Sequence, residues 1–135
     1  MPKFGKQSRD HLATCDKRLQ DIANEVVKYM DCSVTCGHRG EKDQNEAVAK
    51  GTSKATYPNG RHNAYPSLAL DIAPYPVNYE NLERFTLFAG FFLAMAKTMY
   101  PDVKIIWGRD WDGDWYLKDK NSTKFKDYPH FEIRE

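Results

Sequence analysis

An α+β fold, with a small antiparallel sheet and helices packed on one face, is what this sequence predicts. Three observations carry the prediction. Lys17 to Met30 and Glu80 to Tyr100 place apolar residues at helical spacing. Four short stretches of strand character are bounded by glycine, proline or turn residues. Helices come first and strands mostly later, the order of an α+β chain rather than of alternating βα units.

The first helix is expected over Lys17 to Met30, where Leu19, Ile22, Ala23, Val26, Val27 and Met30 make one apolar stripe, with Thr14 or Asp16 as cap. Cys32 to Cys36 alternates around Val34 as a short strand. Glu41 to Lys50 follows as a helix stopped by Gly51. Thr52 to Pro66 is rich in Ser, Asn, Gly and Pro and reads as a loop, with Pro58-Asn59-Gly60 as its turn signal; a loop of this length is usually functional or disordered. Leu68 to Ala73 is a strand ended by Pro74 and Pro76. Glu80 to Tyr100 is a helix apolar nearly all round in its middle, and so heavily buried. Val103 to Trp107 is a strand, Gly108 to Asp114 a turn, and His130 to Ile133 the last strand.

The bulk numbers bound the function. The 135 residues suit a single domain, 1–135, with a core of its own. Twenty basic and nineteen acidic residues leave a net charge of +1, which gives no support to a nucleic-acid binder. Three cysteines, Cys15, Cys32 and Cys36, cannot all pair within one chain, so reduced thiols are expected. Met1 to Asp10 lacks the apolar run of a signal peptide. Phe85 to Ala96 is shorter than the roughly 20 residues a membrane span needs. A soluble chain without membrane insertion is the expectation.

The residues that suggest chemistry lie where the long loop meets the second strand. With side chains alternating along a strand, Leu68, Leu70 and Ile72 point to the core, while Asp71 points the other way between the small Ala69 and Ala73. In the last strand Phe131 and Ile133 face the core, and His130 and Glu132 share the opposite face. If the two strands are neighbours, His130 and Asp71 converge and the loop can bring His62 over them. Two imidazoles and a carboxylate are a common catalytic zinc set with a fourth position left for water. Asp127 precedes His130 by three residues, and Pro129 keeps Tyr128 out of a helix, so Asp127 falls in a bend where a general base can stand. Spacing alone leaves the plainer readings open: a loop histidine, a turn-forming aspartate and a satisfied polar histidine.

The run His62-Asn63 through Pro66-Ser67-x-Ala69-x-Asp71, then Ala73-Pro74-Tyr75-Pro76, and later Asp127-x-x-His130-Phe131-Glu132, resembles the phage-type L-alanyl-D-glutamate peptidases. These belong to the LAS metallopeptidases of peptidase family M15, with the D-alanyl-D-alanine carboxypeptidases and the hedgehog-type zinc domain. Further matching segments are Phe4-Gly5 with Ser8 and Leu12, Gly37-His38-Arg39-Gly40 with Gln44, Gly51-Thr52-Ser53-Lys54, and Trp107-Gly108 with Asp110-Trp111-Asp112-Gly113-Asp114. The resemblance implies the LAS zinc fold, with His62, Asp71 and His130 as zinc ligands and Asp127 as catalytic base. It implies that Arg39 binds substrate and steadies the oxyanion, for which a guanidinium is suited by its permanent charge and rigid donors; the alternative for Arg39 is a surface salt bridge. Gln44 and Ser53 are further candidate substrate contacts. The family commonly has Ser where this chain has Gly60, a departure that bears on fine specificity rather than on the metal.

The implied activity is zinc-dependent hydrolysis of the peptidoglycan stem peptide, at L-Ala-D-Glu, by a monomeric phage endolysin. Such an enzyme is made in the host cytoplasm and reaches the wall when a separate membrane-permeabilising protein lets it out. A D-Ala-D-Ala carboxypeptidase and a non-catalytic zinc-bearing binding module are the alternatives. Asp110, Asp112 and Asp114 resemble the start of a calcium loop, but the EF-hand glycine position falls on Trp115, so a tight turn is the default and a looser Ca2+ site the alternative. Trp107, Trp111, Trp115 and Tyr116 are expected to pack the core and the cleft rim. Glu132 either orients a ligand histidine or is exposed.

Overall fold

The structure, a computed structural model, describes residues 1–118 and 125–135. Its order is α1 (Lys6–Leu12), α2 (Lys17–Val26), β1 (Cys32–Cys36), α3 (Glu41–Ala49), a single 3-10 turn (Arg61–Asn63), β2 (Ala69–Pro74), α4 (Leu82–Met99), β3 (Lys104–Trp107) and β4 (His130–Arg134). The four strands form one sheet in the order β1-β2-β4-β3, and every neighbouring pair is antiparallel. The α+β class is therefore as the sequence predicts. The boundaries shift modestly: α2 ends at Val26, with its last apolar residues in turns, and β2 runs on through Pro74. A proline is tolerated there because it is the terminal strand residue.

Helix α1 was not expected. Only Ser8 and Leu12 are buried along Lys6–Leu12, so no apolar period announces it. It is held by tertiary contacts, including Ser8 Oγ accepting the Val34 N–H of β1 at 3.0 Å. Helix α2 begins where Asp16 accepts the Arg18 N–H, a side-chain cap. Its stripe of Leu19, Ile22, Ala23 and Val26 is fully buried.

Helix α4 packs behind the sheet. Phe88 and Phe92 meet Phe131 of β4, with ring centroids 6.5 and 4.2 Å away. Leu70 and Ile72 of β2 and Ile133 of β4 complete this side, all without solvent exposure. Burying each such side chain contributes about 1.5–3 kcal/mol, so this layer holds the sheet flat against α4. Among the described residues no helix is long and apolar enough to cross a membrane.

The register prepares the opposite face. Asp71 of β2 lies directly across from His130 of β4. A bulge between Val34 and Cys36 brings Cys36 of β1 opposite Asp71 on its other side. One row across three strands thus reads Cys36, Asp71, His130, all on the side away from α4.

Candidate metal centre

His62 comes from the 3-10 turn above this row. The turn is pinned where Asn63 Oδ1 accepts the Gly60 N–H at 2.8 Å and Arg61 O accepts the Leu68 N–H at 3.1 Å. Nδ1 of His62 donates to Gly37 O at 2.7 Å, which turns Nε2 towards the sheet. Gly37 must be glycine: a Cβ there would stand 2.3 Å from both His11 O and Thr14 Oγ1. On the other side, Nε2 of His130 faces Glu132 Oε1 at 2.7 Å. With the ring nitrogens on the outer sides serving as donors, His62 Nε2 and His130 Nδ1 present lone pairs inward.

Those two nitrogens are 3.2 Å apart, and Asp71 Oδ1 lies 3.2 Å from the first and 3.3 Å from the second. Three acceptors this close need a cation or a proton among them. Atoms held about 2.0–2.1 Å from a tetrahedral zinc stand about 3.3–3.4 Å from one another, so the donor set fits zinc in both type and spacing. Without a metal, protons take this role. Burial alone would lower the proton affinity of His62, but the Asp71 carboxylate reverses the effect and raises its pKa to about 10. The same competition raises His130 to about 9. Asp71, despite burial, is held well below the usual carboxylate range by the two imidazoles.

Asp127 completes the group: its Oδ2 lies 3.9 Å from His130 Nδ1, and Asp71, Asp127 and His130 offer ligand atoms within 4.8 Å of one another. Gly108 allows this approach, since a Cβ at 108 would stand 2.2 Å from Asp127 O. Burial and then the nearby Asp71 charge push Asp127 up to about 6, a value suited to a base that must also return its proton.

Arg39 is not a surface residue. Its side chain is 15% exposed and its Nη2 lies 3.6 Å from Asp71 Oδ2. Nη1 donates to Gln44 Oε1 at 3.1 Å, and that oxygen also accepts from Asn63. Gln44 Nε2 donates to Ser53 Oγ and Ala55 O. Both Gln44 and Ser53 line the cleft, but the Gln44 amide is committed to the protein on both sides. Its side chain ties Arg39 to the 52–55 loop. Cys36 approaches the same centre, with Sγ 3.9 Å from His62 Nδ1.

The site opens into a cleft of about 560 Å³. Trp111 forms one wall, its ring 5.4 Å from that of His130 and stacked on Phe125. The four aromatic residues separate in the structure. Trp107 is buried in the core and Trp111 lines the cleft, whereas Trp115 and Tyr116 are 63% and 73% exposed, outside the packing expected of them. Glu132 is buried against His130 rather than exposed. Asp110, Asp112 and Asp114 gather within 4.8 Å as a second group. Asp110 accepts the Trp115 N–H and Asp114 the Tyr116 N–H, so these carboxylates shape the turn. Trp115 itself has φ 67°, so the backbone adopts the glycine-like conformation although the residue is not glycine.

The sequence-family model described as phage L-alanyl-D-glutamate peptidase matches residues 1–134. The L-alanyl-D-glutamate peptidase of Escherichia phage T5 is 29% identical over 128 residues, covering 90% of this chain and 91% of that protein. The crystal structure of Serratia marcescens L-Ala D-Glu endopeptidase ChiX shares the fold, with a TM-score of 0.72 at 22% identity over 98% of this chain and 90% of that one.

Proposed function

The chain belongs to the phage L-alanyl-D-glutamate peptidase family, and from that premise we propose that it hydrolyses the L-Ala-D-Glu bond of the peptidoglycan stem peptide with a zinc ion held by His62, Asp71 and His130. Family membership makes it a peptidase of the bacterial wall, of the endolysin type. The observation that carries the zinc reading is the convergence of three acceptor atoms within 3.2–3.3 Å beside Asp127 and Arg39, at the floor of a cleft.

A zinc ion held by His62, Asp71 and His130 would supply Lewis acidity and lower the proton affinity of water at the site. Asp127, beside the three candidate ligands, takes a proton from the attacking water as the new C–O bond forms. The carbonyl oxygen gains negative charge, which the fixed guanidinium of Arg39 stabilises. Asp127 then gives its proton to the departing amine nitrogen as the C–N bond breaks. Glu132 holds His130 by accepting its Nε2–H, the usual support for a ligand histidine. Gln44 and Ser53 keep Arg39 and the cleft loop in place.

In the same reading the protein is a monomer made in the host cytoplasm that reaches the wall after a separate protein permeabilises the membrane. The Asp110, Asp112 and Asp114 loop offers only carboxylates, a set that suits a hard cation such as Ca2+; the hydrolytic scheme does not depend on it. Digestion of purified wall muropeptides tests the bond choice. New amino-terminal D-Glu is expected. Release of terminal D-Ala without it would replace the proposal with a carboxypeptidase, and no cleavage of either bond in the metal-loaded protein would leave only a binding module.

A further inference from the structure

The cleft carries more positive charge than its own packing uses. Glu132, with a side chain only 9% exposed, directs Oε1 to His130, while Oε2 faces two guanidinium groups: Nε of Arg134 at 3.1 Å and Nε of Arg61 at 3.7 Å. Arg134 is fixed again by donating Nη1 to Trp111 O at 2.9 Å and by lying over the Trp111 ring. Arg61 is 38% exposed and its pairing with Glu132 lies beyond hydrogen-bond distance. One carboxylate shared between two guanidinium groups leaves a positive charge in excess, and Arg61 is the less engaged of the pair.

Its place is set by the metal centre. Arg61 immediately precedes His62 in the pinned 3-10 turn, and both line the cleft. The other cations there have different duties. Arg39 is turned to Asp71 and Gln44, and Lys54 lies over the Phe125 ring.

The chemistry of the substrate supplies the complement. When the released amine belongs to a glutamate residue, one of its two carboxyl groups continues the peptide and the other stays free, within a few bonds of the scissile nitrogen. That charge must enter a cleft already lined by Asp127 and Glu132, which is costly unless a cation meets it. A guanidinium meets a carboxylate with two parallel hydrogen bonds, which adds geometric selection to the charge. We infer that Arg61 receives the free carboxylate of the residue on the amine side of the cleaved bond, and so sets the preference for an acidic residue there. This inference rests on the L-Ala-D-Glu reading above.

The test uses the metal-loaded full chain and two synthetic stem peptides, identical except that the glutamyl carboxylate is free in one and a carboxamide in the other. The wild-type protein should favour the free acid by about 10- to 100-fold in kcat/KM, the range for hydrogen bonds between charged groups. Arg61→Gln should remove most of that ratio by slowing the acid while leaving the amide little changed and the bound metal undiminished. Arg61→Lys should keep part of it, and decides the matter if the glutamine variant does not fold, since a ratio equal to the wild type would then overturn the inference. A glutamine variant with the wild-type ratio, or one that slows both peptides equally, overturns it too. If the wild-type protein cleaves both peptides equally well, only the inference falls; if it cleaves neither, the bond assignment falls and takes the inference with it.

Discussion

The two faces of the sheet are built from the same strands and do opposite things. On the side towards α4, Leu70, Ile72, Phe131 and Ile133 make one buried, wholly apolar surface. On the other side the intervening residues of the same strands are Asp71, His130 and Glu132, joined by Asp127, His62 and Arg39. The first face is a good folding core. The second gathers charges that cost free energy to bury unless each is paired, and among the described residues no buried side-chain N or O lacks a hydrogen-bond partner. The contrast separates stability from the proposed chemistry: the face that is expensive to build is the one that gathers the candidate site.

That separation can be broken by substitution. His62→Ala should abolish wall hydrolysis and metal binding in a protein that still folds, because the apolar face is untouched; a variant that unfolds outright would show that the polar face also holds the fold. Asp127→Asn should lower activity by about 10²- to 10⁴-fold, the usual contribution of a general base, with metal content unchanged by elemental analysis. Near-normal activity would remove the assigned base. On the other face, Phe92→Ala should cost about 3–5 kcal/mol in denaturant unfolding, while the folded fraction still binds metal.

A smaller effect sharpens the comparison at its boundary. Glu132→Gln should weaken metal binding by about 10- to 100-fold through the loosened His130, measured by competition with a chelator of known affinity; unchanged affinity would make Glu132 a packing residue. The smallest effect is electrostatic. In chelated protein His62 and His130 are raised above their ordinary pKa of about 6.5, to about 10 and about 9. The stability they give is full below the unfolded value and is lost as pH rises through 9 to 10. Metal takes the place of those protons, so the gap in Tm between loaded and chelated protein should widen from pH 7 to pH 10. A constant gap would contradict the proton-for-metal exchange.

Alternation along β2 and β4 made the two faces legible in the sequence, because a period of two assigns Asp71 and His130 to one side once the strands are recognised. Their being neighbours was not legible, since strand order depends on contacts distant in sequence; the family resemblance supplied what spacing could not. Helix α1 is silent in the sequence because its polar residues show no period. The turn carrying His62 lies in a stretch of loop composition, and three residues of 3-10 helix leave no pattern to find. For Glu132 alternation gives the face but not the cover, which comes from His130, Arg134 and Arg61. Arg61 had no motif of its own. Only its distance to Glu132 and its place in the cleft give it a role.

The central claim is that the polar face is a zinc-dependent hydrolytic centre, and metal content measured alongside wall lysis tests it most directly. The purified protein should carry about one zinc per chain, the stoichiometry of a single three-ligand site, lose lysis when a chelator removes it, and regain lysis when zinc is returned. Full lysis after complete removal of metal would contradict the account.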